Sequence, residues 1–135
     1  MTSRTATGVQ QYKQELTATP EVLGPTRKAV TVYLRELGCG ELVGPATLCV
    51  TEMLSNVHKH VHSDACVLLL QVTPSGLRIV VSDRSSALPV IREPDDLLEC
   101  GRGVQLLNAT ADAWGAQPTD DGKDVWVEFR SVEAA

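Results

Sequence analysis

The chain has 135 residues, 43% hydrophobic and 21% charged, with 12 Lys+Arg against 17 Asp+Glu and a formal net charge of −5. One domain's length with that apolar content excludes a disordered or collagen-like chain, and an acidic balance argues against a duplex-binding surface. Five aromatics (Tyr12, Tyr33, Trp114, Trp126 and Phe129) are too few for a base-stacking platform. The expectation is a binder of a small ligand, of another protein, or of both.

Residues 1–8 are polar and lack the apolar core of a signal peptide. The longest apolar runs, 66–70 and 77–81, are strand-sized rather than membrane-spanning. A cytoplasmic protein without a membrane segment is expected. Cys39, Cys49, Cys66 and Cys100 show no C-x-x-C spacing, which favours reduced thiols over a zinc or disulfide framework.

In chain order, residues 10–16 offer a weakly patterned opening strand. From Pro20 the apolar residues Val22, Leu23, Val30, Tyr33, Leu34 and Leu37 recur at helical steps, and Gly38 and Gly40 end the run. Gly44 and Pro45 open a second helix, whose apolar residues Val50, Met53, Leu54, Val57 and Val61 fall within about 100° of arc. Two β-rich segments, 66–73 and 77–83, flank the turn Pro74-Ser75-Gly76. Residues 84–103 lose the apolar period and form a long loop of the kind that carries function. A helix is expected at 104–111, then strands at 112–116 and 125–130 with Asp121-Gly122 between them. The order β-α-α-β-β-loop-α-β-β predicts one α+β domain over 1–135: a two-layer α/β sandwich with a mixed, mostly antiparallel sheet and helices on one face.

Glu52, Asn56 and His60 stand at i, i+4 and i+8, on one side of the second helix beside its apolar stripe. A carboxylate and an amide carbonyl at this spacing suit Mg²⁺, which prefers hard oxygen ligands and keeps several waters. The glutamate can also deprotonate an attacking hydroxyl. The bland alternative is a solvated polar face. Asp83 closes an apolar strand and can accept a hydrogen bond from a base or amine; its alternative is a turn-forming aspartate ahead of Ser85 and Ser86. Gly101-Arg102-Gly103 precedes the helix expected from Val104, a place where backbone N–H groups approach phosphate.

In this order, Glu52-x-x-x-Asn56-x-x-x-His60, Asp83-x-Ser85-x-x-x-Pro89 and Gly101-Arg102-Gly103-x-x-Leu106-Leu107 resemble the N, G1 and G2 boxes of the histidine-kinase-like ATPases. More narrowly, the chain resembles the short, single-domain anti-sigma factor serine/threonine kinases of actinobacteria, and Trp114-Gly115 with Gly122-Lys123-x-Val125-Trp126-x-Glu128 fits that subgroup. The resemblance runs from about Leu16 to Phe129. It implies a Bergerat-type ATP-binding fold with ATP and Mg²⁺ as cofactors. Asn56 would hold Mg²⁺, Glu52 would be the catalytic base, and Asp83 would receive the adenine amino group. His60 would belong to the same nucleotide site, and Gly101, Gly103 and Val104 would form the phosphate end of a lid over about 84–103. It also implies a homodimer that sequesters a sigma factor and phosphorylates a Ser or Thr of an anti-anti-sigma partner, with no direct nucleic-acid contact.

The chain departs from that pattern at Ser85 and Ala87, where relatives often carry glycine, and at Val61, where a small residue is usual. It departs again at Asp124, read as lying just before the last strand, where relatives often place a threonine near the phosphates; a carboxylate aimed there repels a nucleotide. These departures keep open a binding module of the same fold without kinase turnover. A third reading uses His58, His60 and His62 as metal ligands. On a helix, however, only His58 and His62 pair, and cations near the helix end explain His58 and Lys59 without a metal.

Overall fold

The computed structural model describes residues 2–4, 10–60, 65–84 and 110–130. In chain order its elements are β1 (Thr2–Arg4), β2 (Gln10–Thr17), α1 (Pro20–Glu36), α2 (Val43–His60), β3 (Ala65–Thr73), β4 (Gly76–Asp83), β5 (Ala113–Pro118) and β6 (Lys123–Arg130). A 3-10 turn, Gly40–Leu42, leads into α2. The strands form one six-stranded sheet in the order β1-β2-β3-β4-β6-β5. Every described pairing is antiparallel, so the expected mixed component is not seen among the described residues.

Two periodicities build the layers. Cys66, Leu68 and Leu70 of β3, Leu77, Ile79 and Val81 of β4, and Val127 and Phe129 of β6 alternate along their strands and are buried, because successive strand side chains point to opposite faces. The helices complete the core at a period near four, with Val30, Tyr33 and Leu34 from α1 and Ala46, Cys49, Val50, Met53, Leu54 and Val57 from α2. Each large side chain so buried contributes roughly 1.5–3 kcal/mol. The two helices pack on each other, α1 against β2 and α2 against β4.

Local chemistry sets the helix ends. Leu37 caps α1, and Gly38, at φ 77, takes the left-handed conformation beyond it. The Gly38 N–H donates to the Arg35 carbonyl at 3.1 Å and the Cys39 N–H to the Leu34 carbonyl at 2.8 Å, the pair of bonds of a Schellman motif. Inside α1, Pro25 has no N–H to offer the carbonyl four residues earlier. In α2, Thr47 and Thr51 spend their hydroxyls on the carbonyls of Val43 and Thr47.

The helix expected at 104–111 lies outside the described residues except for its last two positions, as does the loop from residue 85. Three elements differ from expectation. β1 was not foreseen; its three residues extend because β2 offers a pairing edge. The fifth strand is Ala113–Pro118 instead of 112–116. The last begins at Lys123, two residues earlier than expected, since Lys123 and Asp124 pair with Asp83 and Ser82 of β4.

Candidate functional site

The rim of α2 carries the first part of the site. Glu52 and Asn56 are half-buried, beside the fully covered face formed by Cys49, Val50, Met53 and Val57. Among the described residues no hydrogen-bond partner meets the Glu52 carboxylate or the Asn56 amide. Burial pushes the Cys49 thiol up to about 11, and the nearby Glu52 carboxylate adds to the rise. His60 is the last residue of α2. α2 stays helical through His60, so His58 and His60 stand about 200° apart around its axis and share no face. Among the described residues no three His, Cys, Asp or Glu side chains gather as metal ligands.

Connectivity brings this helix end to the site's second part. Five residue steps separate His60 from Ala65, the start of β3, a reach of at most about 18 Å. Asn56 lies about 6 Å before the helix end along its axis. At that end of the sheet β3 runs beside the last residues of β4, with Val67 opposite Ser82. Asp83 is the final residue of β4.

Asp83 is not a turn former here. It is buried, with its side chain 2% exposed, and the Lys123 side chain opposite it is 9% exposed. The Lys123 ammonium donates to Asp83 Oδ1 at 3.1 Å and lies 3.0 Å from Oδ2. Both residues sit in strand positions facing the helices, in register with the core alternation. The β5–β6 turn fixes this pair. Thr119 Oγ1 accepts from the Gly122 N–H at 3.0 Å, and the Thr119 N–H donates to the Gly122 carbonyl at 2.9 Å. Gly122 presses so closely on the Asp83 carbonyl and the Arg84 backbone that any Cβ there would collide with them.

The reading of Asp124 is corrected. It lies within β6, opposite Ser82, and accepts from Ser82 Oγ at 2.6 Å. One step along the strand from Lys123, it faces the other side of the sheet. A groove of about 580 Å³ crosses the strand ends and includes both Asp83 and Asp124 with Glu15, Thr17 and Cys66 in its lining. The two aspartates reach it from opposite faces, and Glu52 and Asn56 do not line it. Ser85, Ala87, Gly101, Gly103 and Val104 lie outside the described residues, as do Val61 and His62.

Lys123 is the site residue that sequence reasoning missed. Its signal was a lone cation directly after the Asp121-Gly122 turn, on the side of an apolar strand that alternation turns inward. Among the described residues no helix is long and apolar enough to cross a membrane.

The chain's sequence matches no curated protein. Residues 16–129 match the family model described as the histidine kinase-like ATPase domain. That match spans most of the chain and agrees with the α+β sandwich: the chain belongs to the histidine kinase-like ATPase family.

Proposed function

We propose that this ATPase-family domain is an ATP-dependent anti-sigma factor: it sequesters a sigma factor and phosphorylates a Ser or Thr of an anti-anti-sigma partner, acting as a homodimer. The observation that carries the catalytic part is the pair Glu52 and Asn56, half-buried on the α2 rim and not engaged by any described residue. Their oxygens are hard donors one helical turn apart, which fits Mg²⁺. In this reading Asn56 holds the ion, which supplies charge neutralisation at the ATP phosphates. Glu52 accepts the proton of the partner's hydroxyl as that oxygen bonds to the γ-phosphorus, the bond to the β–γ bridging oxygen breaks, and ADP leaves. His60 borders the nucleotide, Asp83 meets the base, and the Gly101, Gly103 and Val104 amides meet the phosphates.

The test is transfer of labelled γ-phosphate from ATP with Mg²⁺ to the anti-anti-sigma partner. Glu52→Ala is expected to slow transfer about 10²–10⁴-fold while partner binding in a pull-down is retained. Undiminished transfer would remove Glu52 from the role of base.

A second reading, a binding module of the same fold without turnover, is favoured by one observation: Lys123 already engages both carboxylate oxygens of Asp83. Calorimetry separates the two. Heat of Mg²⁺-ATP binding that disappears in Asn56→Ala supports the kinase, and no heat at millimolar nucleotide supports the module.

A further inference from the structure

Val32 and Leu48 are the large apolar side chains that stand exposed among the described residues, at 48% and 41%. A single exposed apolar residue is ordinary on a helix surface, so its place decides what it can do. Val32 belongs to α1, whereas Leu48 stands on α2 four residues before Glu52. Gly44, Leu48, Glu52, Asn56 and His60 therefore follow one i+4 ridge. Each step along it turns about 40° around the axis and rises about 6 Å, and the turn is toward the face buried at Cys49 and Met53. Exposure falls accordingly: Gly44 and Leu48 are exposed, Glu52 and Asn56 half-buried. The ridge descends from solvent to the edge of the core, with Asn56 at its inner end, Glu52 in the middle and Leu48 at its outer end. The outer end is free to be covered. A Cβ added at Gly44 would meet nothing, and Thr51, on the next turn from Leu48, already spends its hydroxyl on the Thr47 carbonyl at 2.8 Å, so excluding water there costs little.

We infer that Leu48 is the docking residue for the phospho-acceptor protein: an apolar side chain of that protein, beside its acceptor Ser or Thr, packs on Leu48 and so brings the hydroxyl to Glu52. This rests on the reading above in which Glu52 is the base and Asn56 holds the ion. With the ion at the inner end of the ridge, the acceptor hydroxyl reaches Glu52 from the outer end, and the chain that carries it crosses Leu48 one turn away. Water needs no such surface to reach Glu52, whereas a protein does. An apolar contact of this kind is made equally in the ground state and the transition state, so it acts on capture of the protein substrate and leaves the chemical step alone.

The test is steady-state transfer from Mg²⁺-ATP to the purified anti-anti-sigma protein, with that protein's concentration varied at saturating nucleotide. Leu48→Asp is expected to raise KM for the protein about tenfold or more, as a covered leucine contact is lost, with kcat within about twofold of wild type. Leu48→Met, apolar and of similar volume, is expected to keep the wild-type KM within about twofold. Position 48 is on the surface, so both variants fold, which a thermal melt checks. Val32→Asp makes the same change at the other exposed position and is expected to leave KM where it was. An equal rise in Val32→Asp overturns the inference, because exposure alone would then set the effect. An unchanged KM in Leu48→Asp overturns it and leaves the kinase reading standing, and loss of sigma-factor binding at unchanged KM assigns the outer end of the ridge to that partner instead. A fall in kcat alone also overturns it, making Leu48 a structural support of Glu52. No transfer by wild type refutes the kinase reading itself and the inference with it.

Discussion

Two neighbouring pairs across β4 and β6 carry the same residue type to opposite ends. Asp83 faces Lys123 and Ser82 faces Asp124, one register step apart. The first pair lies on the helix-covered side with its side chains 2% and 9% exposed. The second lies on the opposite face, half-buried, with 2.6 Å between Ser82 Oγ and Asp124 Oδ1. On that open face Arg78 also meets Glu128 at 2.8 Å, with side chains 37% and 44% exposed, and its guanidinium lies 4.8 Å from the centre of the Trp126 ring. Solvent decides what each charge is worth. Exposed ion pairs contribute about 0–1 kcal/mol, whereas a buried pair leaves a costly uncompensated charge when one partner is removed. The pleat alone assigns the two aspartates to these regimes.

The largest expected effect breaks the covered pair. Lys123→Met strands the Asp83 carboxylate in the interior and is expected to cost about 3–5 kcal/mol in urea unfolding. Asp83→Asn combined with Lys123→Met is expected to recover much of that loss, since no buried charge remains. Equal losses from Lys123→Met and from Asp124→Ala would abolish the distinction between the faces.

The two glycines of the β5–β6 hairpin sharpen it. At Gly122 an added Cβ meets backbone, the Asp83 carbonyl and Arg84, and backbone in a paired strand end cannot rotate away. Gly122→Ala is expected to lower stability by about 3 kcal/mol. At Gly115, on the open face opposite Trp126, the added Cβ falls 2.6 Å from Trp126 Cζ2. The collision is with a side chain, so the indole shifts and Gly115→Ala is expected to cost about 1 kcal/mol. Thermal melts of the two variants rank them; a larger loss at Gly115 would mean that the open face is the better packed one.

What could be read beforehand follows the range of the interactions. β3 and β4 were legible to within a residue at each end because their alternation is local, and the end of α1 because Gly38 supplies a left-handed cap that sequence marks directly. Glu52 and Asn56 were legible for the same reason, since helical spacing places them on one rim. The start of β6 was not. Lys123 and Asp124 interrupt an apolar pattern, and what holds them in the strand is partners some 40 residues upstream. β1 fails similarly, as only pairing with β2 extends it. Asp124 was suspected of repelling phosphates and Lys123 was overlooked because the register that exchanges their roles is a tertiary fact.

The smallest expected effect belongs to the open-face pair and tests that exchange directly. Ser82→Ala removes one donor from a carboxylate that water can still reach, so the expected cost is below about 1 kcal/mol. Asp124→Asn removes the charge suspected of opposing nucleotide. Its carboxylate is held by Ser82 on the face opposite Asp83, though both residues border the groove at the strand ends, and screening by salt weakens what acts around the sheet edge. Nucleotide affinity by calorimetry is therefore expected to stay within about twofold of wild type. A tenfold gain on losing this charge would mean that the phosphates approach the open face of the sheet, and the placing of the site under the helices would have to be given up.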